Sequence, residues 1–168
     1  MRLFFALWPD PEIARRFANT AADLTLENRS RLVSPKNYHL TLAFVGEVAP
    51  SRLAVLQRIG RTQRSTRCTI AFDGLEYWRK PQVVVAAAAE PPPALLNLSA
   101  QLHEALALAP SPLRTHVTLA RKVTQAPVLQ AMSPLKWCAT SFSLVLSETG
   151  GAESAYTVVD TWPLLDES

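Results

Sequence analysis

Only three histidines occur among the 168 residues, and two of them open closely matching segments, His39-Leu40-Thr41-Leu42-Ala43 and His116-Val117-Thr118-Leu119-Ala120. In an extended strand residues i and i+2 project from one face, so each segment presents an imidazole beside a hydroxyl. Two such pairs facing each other across a cleft would put an imidazole on either side of a bound phosphate. Each would also bring a hydroxyl able to donate to a non-bridging oxygen. Phosphodiester cleavage without a metal requires a base to take the proton of the attacking oxygen and an acid to protonate the leaving oxygen. Histidine, with an unperturbed pKa of about 6.5, can do either near neutrality, and each positioned proton transfer is typically worth about 10²–10⁴-fold. The threonines, with nearby cationic or backbone donors, would meet the charge that builds on the phosphoryl oxygens.

One such segment is weak evidence, because any half-buried strand can carry a histidine among leucines. The repetition is what points to chemistry. The third histidine, His103, adjoins Glu104 in an apolar helical stretch and reads as helix surface. Zinc sites usually take three or four ligands at workable spacing, and neither segment offers a second ligand beside its histidine. No metal and no cofactor is therefore expected. The chain has no G-x-S-x-G elbow, no P-loop and no G-x-G-x-x-G fingerprint. Cys68 and Cys138 lack an adjacent histidine or Lys/Arg cluster and read as two small buried thiols in a reducing compartment.

The elements that must position these groups follow from periodicity. LFFALW at 3–8 is a bulky apolar run that suits a buried strand, and residues 11–24 have helical spacing through Ile13, Phe17 and Leu24, with Pro11 and Glu12 in the first turn. Residues 38–46 alternate as a strand, with Tyr38, Leu40, Leu42 and Phe44 on one face and His39, Thr41, Ala43 and Val45 on the other, before Gly46 stops it. A helix over 50–63 precedes two strands, CTIAFDGLEYW and PQVVVAAAA, joined by a turn at Arg79-Lys80-Pro81. Pro91-Pro92-Pro93 breaks the chain before a helix over 94–108 striped by Leu95, Leu98, Leu102 and Leu106. A strand at 116–123, a segment ending at Pro134 with room for a short helix, and two strands flanking Thr149-Gly150-Gly151 complete the chain. This order favours an α+β fold with largely antiparallel sheet. The two motifs stand 77 residues apart, close to half the chain, which predicts two similar lobes each lending one strand to a shared cleft.

At 48% hydrophobic the chain is the size of one ordinary domain, with no need of a disulfide scaffold. The apolar N-terminal run is interrupted at Pro9-Asp10, and no window approaches about 18 uninterrupted apolar residues, so a soluble, cytoplasmic protein away from membranes is expected. Residues 1–80 carry 13 Lys/Arg against 7 Asp/Glu, and residues 81–168 carry 4 against 7. A basic half suits a phosphate-bearing partner, although Arg52, Arg58, Arg61, Arg64 and Arg67 also read as a solvated helix face.

Taken with RLFFALWP at 2–9, SPKNYHLTLAFVGEV at 34–48, THVTLARKV at 115–123 and SETGGAESAY at 147–156, the chain resembles the two-histidine (2H) phosphoesterases. Within them it resembles the RNA 2′,3′-cyclic phosphodiesterases, also called 2′-5′ RNA ligases. The resemblance implies a single bilobal domain over 1–168, with a pseudo-twofold axis and mainly antiparallel sheets lining a central cleft. It implies hydrolysis of RNA 2′,3′-cyclic phosphate ends, tRNA fragments among them, or of nucleotides, to 2′-phosphomonoesters by a monomer, with 2′-5′ ligation as a second activity. His39 is then the acid and His116 the base, Thr41 and Thr118 hold the phosphate, and Phe44 and Arg121 hold the base. Tyr156 fits the closing pattern. One departure is Thr115, where many relatives carry proline before the second histidine. A binding module without turnover, and a cyclic phosphodiesterase of small nucleotide derivatives, are the competing readings.

Overall fold

The computed structural model describes residues 1–167, with Ser168, the last residue of the expected domain, lying outside the described residues. The fold is α+β with three helices and antiparallel strand pairing in every sheet. β1 (Arg2–Leu7), β3 (Leu40–Glu47), β9 (Ser141–Glu148) and β10 (Ala155–Pro163) form one sheet in the order β10-β9-β1-β3. The second sheet runs β2-β7-β6-β5, from β2 (Arg31–Leu32), β5 (Gly74–Trp78), β6 (Val83–Ala87) and β7 (His116–Arg121). A two-stranded ribbon pairs β4 (Cys68–Phe72) with β8 (Leu135–Ala139). The two motif strands thus sit in different sheets, and β3 touches β7 where the sheets meet.

The helices cover the sheets on the side away from that meeting point. α1 (Pro11–Ala22) starts where Asp10 Oδ1 accepts from the Ile13 amide at 2.9 Å, a cap typically worth about 1 kcal/mol, and turns Phe17 and Ala21 inward. α3 (Pro93–Ala105) packs on β3 through Leu95, Leu98 and Leu102. α2 (Leu53–Thr62) lies across β9 and β10. Odd residues of β1, Leu3, Phe5 and Leu7, enter this helix-side core, whereas Phe4 and Ala6 face the opposite way. Arg52, Arg58, Arg61, Arg64 and Arg67 are exposed, so the arginine series is a solvated surface behind the first sheet. Among the described residues no helix is long and apolar enough to cross a membrane.

Several expectations need correction. CTIAFDGLEYW is two strands in different sheets, because the chain breaks at Asp73, whose carboxylate accepts from the Ala89 amide at 3.2 Å. Between β7 and β8 there is no short helix. That irregular stretch is held by Glu27 Oε1, which accepts from the Thr124 amide and hydroxyl and from the Gln125 amide. β8 is an additional strand whose alternation of buried Leu135, Trp137 and Ala139 with exposed Lys136 and Cys138 was legible. Cys138 is therefore exposed, on the outer face of β8, and Cys68 is half-buried, packed against the core at the start of β4. β3 continues past Gly46, whose φ of +85° is the left-handed conformation that glycine adopts freely.

A close approach fixes α2 against the first sheet: a Cβ on buried Gly60 would stand 2.3 Å from the Trp162 ring. In an exposed helix Gly→Ala stabilises by about 1 kcal/mol, but here overpacking should reverse the sign. Gly60→Ala is expected to lower the free energy of unfolding in urea by about 1–3 kcal/mol, and a stabilised variant would disprove the contact.

Candidate active site

A regular strand cannot place residues at i, i+2 and i+5 on one face, yet those are the positions of the expected site residues of both motifs, His39, Thr41 and Phe44 in one and His116, Thr118 and Arg121 in the other. The structure solves this with one inserted residue per strand. Along β1, Phe5 pairs with Ala43 and Ala6 with Thr41, leaving Leu42 without a partner. Along β6, Val84 pairs with Ala120 and Val85 with Thr118, leaving Leu119 without one. Each bulge sends two consecutive residues inward, Leu42-Ala43 and Leu119-Ala120, and all four are buried. The face then resumes with Phe44 opposite Phe4, and with Arg121 turned towards the cleft. The expected alternation, which grouped Phe44 with Leu40 and Leu42 and Ala43 with Thr41, fails for this reason. Phe44 is 48% exposed and lines a pocket with Thr41 and His39.

Bulging removes a carbonyl from the ladder, and a buried carbonyl must find another donor. Ser99 Oγ, from α3, donates to the Leu42 carbonyl at 2.7 Å, and the Val33 amide donates to the Leu119 carbonyl at 2.8 Å. Ser99 is 2% exposed and was not singled out by sequence reasoning. Its Ser99→Ala variant leaves a buried acceptor unpaired and should cost about 1–3 kcal/mol in denaturant unfolding, and an unchanged midpoint would show that the bulge does not need this bond.

The two imidazoles are held in the same way. His39 Nδ1 lies 2.7 Å from the Asn37 carbonyl, and His116 Nδ1 lies 2.5 Å from the Arg114 carbonyl, each two residues upstream. A carbonyl oxygen only accepts, so Nδ1 carries the proton in both rings and Nε2 is left free for chemistry. Thr115 is buried before His116, and its carbonyl accepts from the Ala88 amide at 3.1 Å, so the replacement of proline leaves this arrangement intact. A cleft of about 570 Å³ is lined by His39, Thr118, Arg121 and Tyr156 with residues 149–154. A smaller pocket shares His39, Arg121 and Tyr156 and adds Thr41 and Phe44. His116 stands two residues before Thr118 on β7. Six of the seven expected site residues therefore line these two adjoining pockets, and His116 stands close enough for its charge to act on His39. His103 lies apart, its Nδ1 being 2.8 Å from the Ser99 carbonyl on α3.

Sequence reasoning missed the walls. Trp8 stacks on His39 at 5.1 Å between centroids and 11° between planes, while Phe4 and Tyr156 approach the same ring at 5.1 and 5.0 Å. The signal was the apolar even positions of residues 4–8, which a wholly buried strand does not distinguish. Asn37 adds a tether, donating from Nδ2 to the Ser154 carbonyl at 3.1 Å and so linking residues 149–154 to the His39 turn. Burial in this aromatic box lowers the His39 pKa to about 4, with the charges of Arg121 and His116 acting in the same direction. His116 is lowered as well, first by burial and then by Arg114 and Arg121, with Glu76 opposing. Among the described residues no group of three His, Cys, Asp or Glu side chains is placed to hold a metal ion.

An unfolded His39 titrates near 6.5 and the folded one near 4, so the unfolded state binds the proton first. The stabilisation is complete above about pH 6.5 and disappears as pH falls towards about 4, an upper limit of about 3 kcal/mol. Unfolding of the wild type should thus weaken across that window, and His39→Gln should flatten the dependence. Parallel pH slopes for the two proteins would contradict the burial of a neutral ring.

Comparison with known proteins agrees with this architecture. Residues 7–85 match the family model described as LigT like Phosphoesterase. The chain is 28% identical to the RNA 2′,3′-cyclic phosphodiesterase of Escherichia coli (strain K12), over 97% of this chain and 96% of that one. It is 29% identical to the protein of the same name from Thermus thermophilus, over 99% and 92% of the two chains. The crystal structure of E. coli LigT complexed with NADP+ superposes with a TM-score of 0.88 and 30% identity, covering 97% of both chains. Together with the duplicated bulged strands, these matches show that the chain belongs to the LigT-like phosphoesterase family of the 2H superfamily.

Proposed function

We propose that the protein is a metal-independent cyclic phosphodiesterase that hydrolyses RNA 2′,3′-cyclic phosphate ends to 2′-phosphomonoesters. The observation that carries this reading is the pair of imidazoles whose Nδ1–H groups are both committed to backbone carbonyls, which leaves each Nε2 free. The names of the E. coli and Thermus relatives support the substrate class. In the reaction His116 Nε2 takes a proton from water as the water oxygen bonds to phosphorus. The P–O3′ bond breaks and O3′ receives a proton from His39 Nε2. Thr41 and Thr118 donate to the non-bridging oxygens, while Arg121 offsets the accumulating charge. Phe44 and Arg121 hold the terminal base between an aromatic face and a guanidinium plane, with Tyr156 closing the site beside His39. The same two transfers run with a 5′-hydroxyl in place of water give 2′-5′ ligation. We further read the chain as one bilobal cytoplasmic monomer that meets its RNA, tRNA fragments included, without a cofactor.

Incubation with adenosine 2′,3′-cyclic phosphate in EDTA is the direct test, and the expected product is the 2′-phosphate. Persistence of the substrate across pH 4–8 would leave only a binding module, and a 3′-phosphate would reverse the direction of ring opening. His39→Ala and His116→Ala should each lose about 10²–10⁴-fold in kcat with native circular dichroism, and a variant that retains wild-type turnover removes that histidine from the reaction.

The pH profile carries its own sign. Catalysis needs one imidazole charged and the other neutral, and both free-protein pKa values lie below the ordinary 6.5. The singly protonated pair thus accumulates on the acid side, between the two apparent values of the pair. kcat/KM should be bell-shaped with its maximum below pH 6.5 and its acid limb near 4. A maximum above pH 7 would overturn this assignment of charge.

A further inference from the structure

Beyond the base site at Phe44 and Arg121, we infer that Trp78 and Arg114 form a platform for a second nucleoside, the one joined through its O5′ to the reacting phosphorus. The Arg114 guanidinium lies over the Trp78 ring at 3.6 Å from its centroid, and the same ring approaches His116 at 4.4 Å. Trp78 is fixed from its edge, because Nε1 donates to Glu76 Oε2 at 2.9 Å. Arg114 is itself held next to the motif, since its carbonyl accepts from His116 Nδ1. Arg114 is exposed, so a rigid, positively charged plane backed by an indole stands directly beside one imidazole. The other motif has a counterpart, Arg2 over the Phe44 ring at 5.0 Å. One guanidinium–aromatic stack thus touches His116 and another lines a pocket shared with His39, and guanidinium planes accept nucleobases with little sequence selectivity.

This inference rests on the proposed two-histidine chemistry, which also says which nucleoside belongs there. In hydrolysis the water deprotonated by His116 occupies the position opposite O3′. In a 2′-5′ linked dinucleotide that position belongs to O5′. The 3′-hydroxyl then attacks phosphorus and gives its proton to His39, the P–O5′ bond breaks, and O5′ takes a proton from His116. The products are a 2′,3′-cyclic phosphate and a nucleoside with a free 5′-hydroxyl. The departing nucleoside hence lies on the His116 side, against Trp78 and Arg114. Exposed Arg79 and Lys80, in the turn that follows Trp78, are placed for the phosphates of a longer chain.

The test compares two substrates, adenosine 2′,3′-cyclic phosphate and the 2′-5′ linked adenosine dinucleotide, in wild type and Arg114→Lys. Lysine keeps the charge near His116 and loses the plane. The ratio of kcat/KM for the dinucleotide over the cyclic mononucleotide should fall about tenfold, the equivalent of one lost base stack. Equal loss on both substrates, no change on either, or a wild type that opens the cyclic phosphate but cannot cleave the dinucleotide would each overturn the platform and leave the hydrolytic reading standing. A wild type inert towards the cyclic mononucleotide would defeat both. The 3′-5′ linked dinucleotide, lacking a 3′-hydroxyl nucleophile at its linkage, should show no cleavage that depends on Arg114.

Discussion

Two hydrogen bonds, from Nδ1 of His39 and of His116 to carbonyls two residues upstream, are the constraint on which the site depends. Each specifies a tautomer, and the tautomer specifies which nitrogen meets a substrate. Because the acceptor is backbone, the specification is built into the entry to β3 and β7 and needs no carboxylate partner. An ion pair at Nδ1 would raise the imidazole pKa, whereas a neutral carbonyl opposes burial only weakly, and both rings end below their ordinary value. The protein thus presents a pair of neutral bases to which an anionic substrate brings a favourable field for protonation.

The surroundings of the two rings differ although their tethers match. His39 is enclosed by Phe4, Trp8 and Tyr156, while His116 has Trp78 on one side and the opposing charges of Glu76 and Arg114. Duplication of a motif therefore does not duplicate its acidity. Enclosure of His39 lowers its pKa to about 4, so in the free protein the shared proton is disfavoured on that ring, and the proposed role of His39 as acid calls on the field of the substrate phosphate to draw the proton there.

Much of this was legible in the chain, and the illegible parts have physical reasons. The His-x-Thr pairs, the three helices and the antiparallel class follow from period and composition, because long amphipathic helices and alternating strands leave strong patterns. Phe44 was misplaced because alternation assumes an uninterrupted ladder, and a bulge at Leu42 looks like any other leucine. The split at Asp73 was hidden because both halves of CTIAFDGLEYW favour strand and only their partners differ. Cys138 looked buried because cysteine usually is, and a peripheral two-stranded ribbon has one wet face. Trp8, Trp78 and Ser99 act through tertiary neighbours more than 25 residues away in sequence, which no local pattern encodes.

The unpartnered leucines of β3 and β7 give the motifs an unusual arithmetic. Replacement of Leu42 or Leu119 by another apolar residue alters volume and leaves the count of residues unchanged. Loss of either codon in frame would restore an even ladder with Phe44 or Arg121 still facing the cleft, but drawn one residue nearer its threonine, and would remove the carbonyl that Ser99 or the Val33 amide holds. Heredity can thus edit the letters of these segments more safely than their length, and an insertion or deletion a single triplet long would do what no single substitution there does.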